Sequence, residues 1–329
     1  MNRSIRPFLH AFGNISVVLV VVLVVFGLIS PQFLEPRNLI NILLQSSASS
    51  IVAIGVTFTL VTAGIDLSVG STMFLAAAVA GKLVLAGVSL PVALIVVVLI
   101  GIAFGLINAV AIAWFGMQPF IVTLATLFIG RGLALLITET RAMNLPESLL
   151  GIGSAKVFGV PLPIIVLVLV ISLAHLVLSQ TTFGRQVYAA GSNMEAAKKA
   201  GIKTRRILAF CYIVCGVCAA LGGIVSVAQL GAVSPTFGYQ REFAAIAAAV
   251  LGGTSLFGGR GRIFPGTTFG AILIQTVDSG LVIVNANPYV YPLIMATIIF
   301  LTALVDSVRN TYLSSLRRRI IRMDVNRGS

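Results

Sequence analysis

The chain alternates between long apolar runs and short polar segments. A run of about 20 apolar residues forms a helix long enough to cross about 30 Å of hydrocarbon. Ten such runs are predicted as membrane spans, at residues 12–30, 39–62, 67–87, 91–114, 119–138, 162–179, 207–230, 242–257, 264–284 and 289–307. The predicted fold class is therefore all-α, a polytopic membrane protein of about ten transmembrane helices with broken or re-entrant segments.

The polar segments are too short to form a separate soluble domain. We predict one transmembrane domain over residues 1–329, of which about 12–307 is embedded in the membrane. A cytoplasmic loop is predicted at 180–206 and a basic cytoplasmic tail at 308–329. The longest loop on the outer face is expected at 139–161.

Composition and charge support this interpretation. Of the 329 residues, 58% are hydrophobic and 9% are charged, which is more apolar surface than a soluble domain of this size can bury. The net charge of +13 would suit a nucleic-acid partner. Most of the basic residues, however, fall in segments that the ten-span topology places inside, which is the positive-inside bias. No nucleic-acid partner is expected, whereas the basic tail can contact anionic membrane lipid.

Two glycine-rich segments interrupt the apolar pattern, "AGIDLSVGS" at 63–71 and "LGGTSLFGGRGRIFPG" at 251–266. Corresponding breaks in the two halves of a membrane protein point to a substrate pathway. In the second break the glycines themselves are interpreted as structural, and these are Gly252, Gly253, Gly258 and Gly259.

The first break places a carboxylate, Asp66, at membrane depth, where a charge is costly and usually functional. Two compatible interpretations stand. Asp66 can accept backbone N–H groups at the start of the following helix, where the helix dipole favours negative charge. Alternatively, Asp66, Ser68 and Ser71 face the translocation route or its gate.

Seven residues make up the predicted substrate pathway or gate: Gly64, Asp66, Ser68, Ser71, Asn108, Gln275 and Asp278. Asn108 and Gln275 would also serve as hydrogen-bonding partners between helices, so both uses stay open for them. Asp278 and Arg131 have opposite charge and lie in different spans. Pairing between these two is a further hypothesis.

The sequence lacks the motifs of catalysis and of metal binding. The Gly81-Lys82 pair has no glycine before it at P-loop spacing. Cys211, Cys215 and Cys218 share one face of a predicted helix with no histidine nearby, and we interpret them as small packing residues. No catalytic, cofactor or metal site is expected on this chain, which is not expected to be an enzyme.

The cytoplasmic loop contains "GSNMEAAKKAGIKTRR" at 191–206. Ser192 and Glu195 have the spacing of a capping box, which predicts a helix start. Gly201 stands where a left-handed C-cap would end that helix. Met194, Ala197 and Ile202 would form its apolar side, and Ala196 and Ala197 are small enough for close approach to a partner. A docking helix and an ordinary basic loop are both compatible with this pattern.

Three stretches together resemble the permease subunits of bacterial ABC importers for ribose and related monosaccharides. They are "AGIDLSVGS", "GSNMEAAKKAGI" and "AAIAAAVLGGTSLFGGRGRI", in the right order within residues 33–308. The resemblance implies a multi-pass protein of the bacterial inner membrane that pairs with a second permease copy, identical or not. It also implies a cytoplasmic ATPase, which would hold ATP and Mg²⁺, and a periplasmic sugar-binding protein.

The resemblance further implies which residues couple the permease to the ATPase. These are Gly191, Asn193, Glu195, Ala196, Ala197, Gly201 and Ile202. One position departs from the family, which often has Glu-x-Asp before the "AIAAAVLGG" run. Here Glu242 is kept and the second position is Ala244, so the sugar or a docking contact can differ.

The function expected from these observations is translocation of a monosaccharide, powered by a separate ATPase. The first alternative is an ion-coupled secondary transporter with Asp66 and Asp278 as its coupling carboxylates. The second is a membrane scaffold or receptor subunit without transport, which would leave the glycine-rich breaks unexplained.

Overall fold

A computed structural model of the chain describes residues 15–294, 296–301, 303–304 and 307–308. Up to Ala286 the described residues form one compact unit. Its helices are α1 (Ile15–Ile29), α2 (Pro36–Val61), α3 (Val69–Leu85), α4 (Leu90–Ala113), α5 (Pro119–Thr138), α6 (Glu147–Ser154), α7 (Leu162–His175), α8 (Thr182–Ser192), α9 (Met194–Lys199), α10 (Thr204–Leu230), α11 (Arg241–Leu251) and α12 (Thr268–Ile283).

Short elements complete this unit. A 3₁₀ turn at Pro31–Leu34 precedes α2, and π-helical turns follow α7 at Leu176–Gln180 and precede α12 at Ile263–Thr267. The two-residue strands are β1 (Met143–Asn144), β2 (Lys156–Val157), β3 (Val160–Pro161) and β4 (Ala232–Val233). A second unit begins at Asn287 and contains a 3₁₀ turn at Pro288–Val290 and an apolar helix at Tyr291–Leu301.

Six helical segments among the described residues are long and apolar enough to cross a membrane, namely Pro36–Val61, Leu90–Ala113, Pro119–Thr138, Leu162–Gln180, Thr204–Leu230 and Ile263–Ile283. Three shorter helices, α1, α3 and Tyr291–Leu301, are also apolar. The predicted all-α polytopic fold is thus confirmed. The basic tail falls outside the described residues from 309 onward.

The predicted span at 242–257 differs from the structure. Helix α11 ends at Leu251, where Gly252 follows and Gly253 has a φ of 90°. Eleven residues at 1.5 Å each make a helix of about 16 Å, about half the hydrocarbon thickness. The second glycine-rich break therefore starts inside the span that the apolar pattern predicts.

Helix α10 forms the centre of the first unit and packs against α2, α3 and α4. Its contact with α4 is close because glycines face each other: a Cβ on Gly101 would lie 2.6 Å from the Gly216 carbonyl oxygen. Small residues of this kind let membrane helices approach and gain dispersion contacts. Cys211, Cys215 and Cys218 of α10 are free thiols, all buried.

Two strand pairs join the loops between helices. Strand β1 pairs antiparallel with β4, so the 139–161 segment is hydrogen-bonded to the segment after α10. Strands β2 and β3 form a small hairpin within 139–161. Both segments joined by β1 and β4 belong to the loops predicted on the outer face.

Candidate functional site

Asp66 lies in the first break and is 1% exposed. Its Oδ1 accepts hydrogen bonds from the backbone N–H of Ser68 at 2.9 Å and from the Ser68 hydroxyl at 2.6 Å. A side chain that accepts from the N–H two residues later closes an Asx turn. This turn leads the chain into α3, which begins one residue after Ser68.

The bond to Ser68 is the first of a buried polar chain that crosses three elements. The Nδ2 of Asn108 on α4 donates to the Ser68 hydroxyl at 3.0 Å. The hydroxyl of Thr126 on α5 donates to Asn108 Oδ1 at 2.8 Å. Because all four side chains are buried, these bonds satisfy polar groups that no bulk water reaches. They hold the first break against α4 and α5.

The second carboxylate oxygen of Asp66 faces a different environment. Asp66 Oδ2 and the Tyr212 hydroxyl are both buried and have no hydrogen-bond partner among the described residues. Tyr212 belongs to α10 and approaches the break closely, because a Cβ on Gly64 would lie 2.5 Å from its hydroxyl. Cys215 of α10 also interacts electrostatically with Asp66. An unpaired buried carboxylate oxygen is costly, so this position is a functional candidate on geometric grounds.

Tyr212 is a candidate that sequence reasoning missed. The sequence indicates a functional role for Tyr212 only weakly, since a tyrosine inside an apolar helix is usually a packing residue. Only the fold shows that its hydroxyl reaches Gly64.

Of the other predicted pathway residues, Ser71 lies beside Ser68, whereas Gln275 and Asp278 lie on α12, away from the first break. Ser71 donates to the Ser68 carbonyl at 2.8 Å and faces Gly130 of α5. Gln275 of α12 donates to Gln45 Oε1 of α2 at 2.9 Å, which is the helix-to-helix use that the sequence left open. Asp278 interacts electrostatically with Arg241 of α11.

The hypothesis that Arg131 pairs with Asp278 is wrong in this structure. The Arg131 guanidinium lies 5.6 Å from the ring centres of both Phe74 and Tyr239, a cation–π arrangement. Its nitrogens approach the carbonyl oxygens of the 235–237 segment at 3.4–3.5 Å, and its charge acts on Glu242. Sequence spacing could not reveal this, because the partners come from three different elements.

The cytoplasmic loop forms the helix that the sequence predicts, with a different first residue. Asn193, not Ser192, is the N-cap of α9, and its Oδ1 accepts from the Ala196 N–H at 2.9 Å. Ser192 is the last residue of α8, so the predicted Ser192–Glu195 capping box is wrong by one position. The reason is geometric: Asn193 is the extended residue between the helices, with φ of −161°.

The end of α9 agrees with the prediction. Gly201 has a φ of 80°, its N–H donates to the Lys198 carbonyl at 3.0 Å, and the Ile202 N–H donates to the Ala197 carbonyl at 3.1 Å. This pair of bonds is a Schellman motif. The predicted left-handed C-cap is confirmed.

Ala197 points into its own chain and is 5% exposed. It packs in the buried cluster that contains Val187 and Ile207, with Met194 and Ile202 beside it. The expectation that Ala197 approaches a partner is therefore wrong. The exposed side of α9 consists of Glu195, Ala196, Lys198 and Lys199.

The cytoplasmic loop meets both glycine-rich breaks at one point. Gly191 of α8 lies against the Val61 carbonyl, at the end of α2, and against the Gly259 amide. The Gly259 N–H donates to the same Val61 carbonyl at 2.8 Å. A Cβ on Gly258 would lie 2.7 Å from the Gly191 carbonyl oxygen. We call this contact of Val61, Gly191 and Gly259 the glycine junction.

A side chain from α8 strengthens the glycine junction. The Tyr188 hydroxyl donates to the Gly261 carbonyl at 2.8 Å. Burial raises the pKa of Tyr188, against the smaller opposite effect of Arg262, so the hydroxyl keeps its proton. The sequence indicated Gly258 and Gly259 as structural and assigned Gly191 to ATPase coupling, but it did not indicate that these glycines meet.

No group of three potential metal-ligating side chains occurs among the described residues. The arrangement offers a buried carboxylate, hydroxyls and an amide, which can hydrogen-bond a polar solute or change partners when helices move.

Comparison with known proteins gives consistent matches. A sequence model of the family described as "Branched-chain amino acid transport system / permease component" matches residues 38–304. The ribose import permease protein RbsC of Haemophilus influenzae is 36% identical over 302 residues, 90% of this chain and 93% of that protein. No solved structure matches the chain.

Two further relatives are similar over most of their length. The D-allose transport system permease protein AlsC of Escherichia coli K12 is 37% identical, over 88% of this chain and 89% of the relative. The galactofuranose transporter permease protein YtfT of the same organism is 36% identical, over 89% of each chain.

Proposed function

This chain belongs to the family of branched-chain amino acid transport system permease components, and we propose that its cargo is a monosaccharide of the ribose class. The observation that carries the proposal is the identity of 36–37% to permeases named for ribose, allose and galactofuranose. As an ABC importer permease, the chain is a multi-pass component of the bacterial inner membrane. It works with a separate ATPase and a binding protein.

Uptake by cells that carry this permease with its ATPase and binding protein tests the cargo. Labelled ribose should accumulate, and labelled leucine should not. Accumulation of leucine without any pentose or hexose would overturn the sugar assignment. An uptake that survives loss of the ATPase's P-loop lysine would favour the ion-coupled alternative, for which the relatives give no support.

For the finer topology we propose the ten spans predicted from the sequence, with cytoplasmic segments at 63–66, 115–118, 180–206 and 258–263. Because α11 alone is too short to cross, the eighth span would consist of α11 and the irregular residues 252–257. Two observations support it. The glycine junction joins three segments that this topology places inside, and the β1–β4 pair joins two that it places outside. Cysteine labelling at the exposed positions Ser148 and Ser192 tests it, with a low background because the native cysteines are buried. Labelling of both from one side would contradict the topology.

We place the ATPase contact on the exposed side of α9. Ala196 lies there, next to Glu195 and Lys199, and a larger charged residue at 196 would face the partner without entering the permease core. Ala196→Glu should therefore leave accumulation in the membrane normal while reducing co-purification of the ATPase and sugar uptake. Burying one unpaired charge in such an interface costs several kcal/mol.

A matched control is Gln186→Glu, which adds a charge to an exposed position of α8 on the same side. It should leave co-purification and uptake unchanged. If Ala196→Glu also leaves both unchanged, α9 is not the docking helix. Ala197→Glu is unsuitable for this test because Ala197 is buried in the permease itself.

The glycine junction supplies a route from α9 to the candidate gate. A displacement of α9 moves Gly191, which presses on the Val61 carbonyl, and Val61 ends the helix that leads into the Asp66 break. Asp66 is buried in this conformation, so a sugar would reach it only after the break moves away from α4 and α5. We propose the chain of Asp66, Ser68 and Asn108 as the closed state of the gate.

A second permease copy completes the proposed importer, and whether it is identical stays open. The mass of the detergent-purified complex gives the number of permease copies directly. Two permease copies per two ATPases fit the proposal, and one copy with no other permease would contradict it.

A further inference from the structure

A groove of about 580 Å³ opens on the face of the unit that carries the cytoplasmic loop. It lies between the end of α4 and the start of α10, beside α9. Its walls are formed by Trp114, Lys198, Ile202, Lys203, Thr204, Arg205 and Arg206. Neither the candidate gate nor the glycine junction includes this groove.

Four basic side chains give the groove a strong positive charge. Lys198, Lys203, Arg205 and Arg206 are all exposed, and none of them forms an ion pair with a carboxylate in the described part of the chain. Two arginines side by side suit phosphate, because the guanidinium offers several donors in a planar fork. The groove is therefore complementary to a phosphate group.

The groove is also continuous with an apolar surface. Trp114 is 46% exposed at the end of α4, and Phe115 beside it is 76% exposed. Exposed Val110 and Leu106 continue the same side of α4 toward its middle. Tryptophan is enriched where a membrane helix meets the headgroup layer. A site that faces only water would not need this apolar side.

We propose that the groove binds an anionic phospholipid, with its phosphate against Arg205 and Arg206 and its acyl chains along Val110 and Leu106. Basic pockets between membrane helices on the cytoplasmic side are suited to such head groups. Because Lys198 belongs to α9, a bound lipid would also contact the helix that we propose for ATPase docking. The lipid site itself does not depend on that proposal.

Trp114 is the single tryptophan of the chain, so its fluorescence reports the groove directly. The full chain is reconstituted in phosphatidylcholine vesicles that contain 20% brominated lipid, either phosphatidylglycerol or phosphatidylcholine. Brominated phosphatidylglycerol should quench Trp114 several-fold more effectively. Arg205→Gln/Arg206→Gln should abolish this preference. Arg205→Lys/Arg206→Lys should retain most of it, and so should Arg185→Gln, an exposed basic position on α8 outside the groove.

Equal quenching by the two brominated lipids in the unaltered protein would overturn the proposal. An equal loss of preference in Arg185→Gln would do so too, because it would indicate general attraction to a basic face. Recovery of fluorescence with millimolar inorganic phosphate would assign the groove to a soluble anion instead. If the double glutamine variant keeps the lipid preference but loses ATPase co-purification, the groove is a protein-docking surface.

Discussion

The two glycine-rich breaks are held in different ways. Side-chain hydrogen bonds hold the irregular backbone of the first break, residues 63–71, whereas backbone packs on backbone in the second break, residues 251–266. Asp66 and Ser68 bind each other and reach Asn108 on α4. Gly252 instead lies directly against the backbone of Gly266 and Thr267. In both arrangements protein covers the irregular backbone, which is required wherever such backbone lies within the membrane.

The difference indicates separate roles. Hydrogen-bonded side chains can exchange partners at small cost when helices move, whereas a close backbone contact has no room to rearrange. We therefore expect the first break to respond to changes of polarity and the second to changes of volume. The glycine junction joins the rigid break to the polar one.

The largest effect is expected from a methyl group in the second break. Gly252→Ala would place a Cβ in contact with backbone atoms of Gly266 and Thr267, which cannot rotate away. Overpacking against backbone should cost about 3 kcal/mol or more. The loss of stability is measured by accumulation of the variant in the membrane and by its thermal unfolding in detergent. Gly132→Ala is the control, because a Cβ there meets nothing within 4 Å, and normal stability for both variants would refute the rigid-contact interpretation.

A smaller effect is expected from changes of polarity at Asp66. Asp66→Leu leaves the N–H and hydroxyl of Ser68 without their acceptor, and should cost about 2–3 kcal/mol for the unpaired buried groups. Asp66→Asn keeps an acceptor oxygen and should cost about 1 kcal/mol or less. If the charge acts at the gate, the asparagine variant accumulates normally but loses sugar uptake. Full stability and uptake for the leucine variant would discredit both interpretations of Asp66.

Asn108 tests how far the polar chain extends. Asn108→Ala removes the link between Ser68 and Thr126 and should destabilise the protein by about 1–2 kcal/mol. Thr126→Val should have less effect, because it removes its own hydroxyl and leaves only Asn108 Oδ1 without a donor. Thermal unfolding of the two variants side by side gives the ranking. The reverse order would mean that Asn108 is not the central member.

Sequence reasoning predicted the features that depend on local chemistry. The apolar runs gave the helices, and Gly201 gave the C-cap of α9 because only a left-handed residue closes that turn. The quoted motifs also indicated the family. In each case the information lies within a few neighbouring residues.

The errors concern contacts between distant segments. Arg131 was paired by charge with Asp278, but its neighbours are the Phe74 and Tyr239 rings, which the fold brings together. Tyr212 was overlooked because its neighbour Gly64 lies far away in sequence. Ala197 was placed outward because a six-residue helix gives too little periodicity to separate its buried side from its exposed side.

The smallest change in stability is expected at a residue with positive φ, because the two breaks also differ in their backbone conformation. The second break turns at Gly253, Gly258 and Gly259, all with positive φ, whereas the first turns at Ala63 with φ of 60°. A left-handed alanine is strained, so Ala63→Gly should stabilise the protein by about 0.5–1 kcal/mol. Ala77→Gly within α3 is the control and should destabilise the protein by about 1 kcal/mol or more, because its methyl group is also buried.

Thermal unfolding of these two glycine variants should therefore shift in opposite directions. Faster sugar uptake by Ala63→Gly would further indicate that backbone strain at Ala63 restrains movement of the first break. Relief of this strain would then make it easier for the gate to open. If instead Ala63→Gly destabilises the protein as much as Ala77→Gly does, the Ala63 methyl group contributes more through its contacts than its backbone strain costs. Its neighbour across the junction is Gly258, where an added Cβ would lie 2.8 Å from the Ala63 methyl carbon. The first break would then depend on backbone packing as the second does, and the distinction between them would hold only for the polar side chains from Asp66 to Asn108.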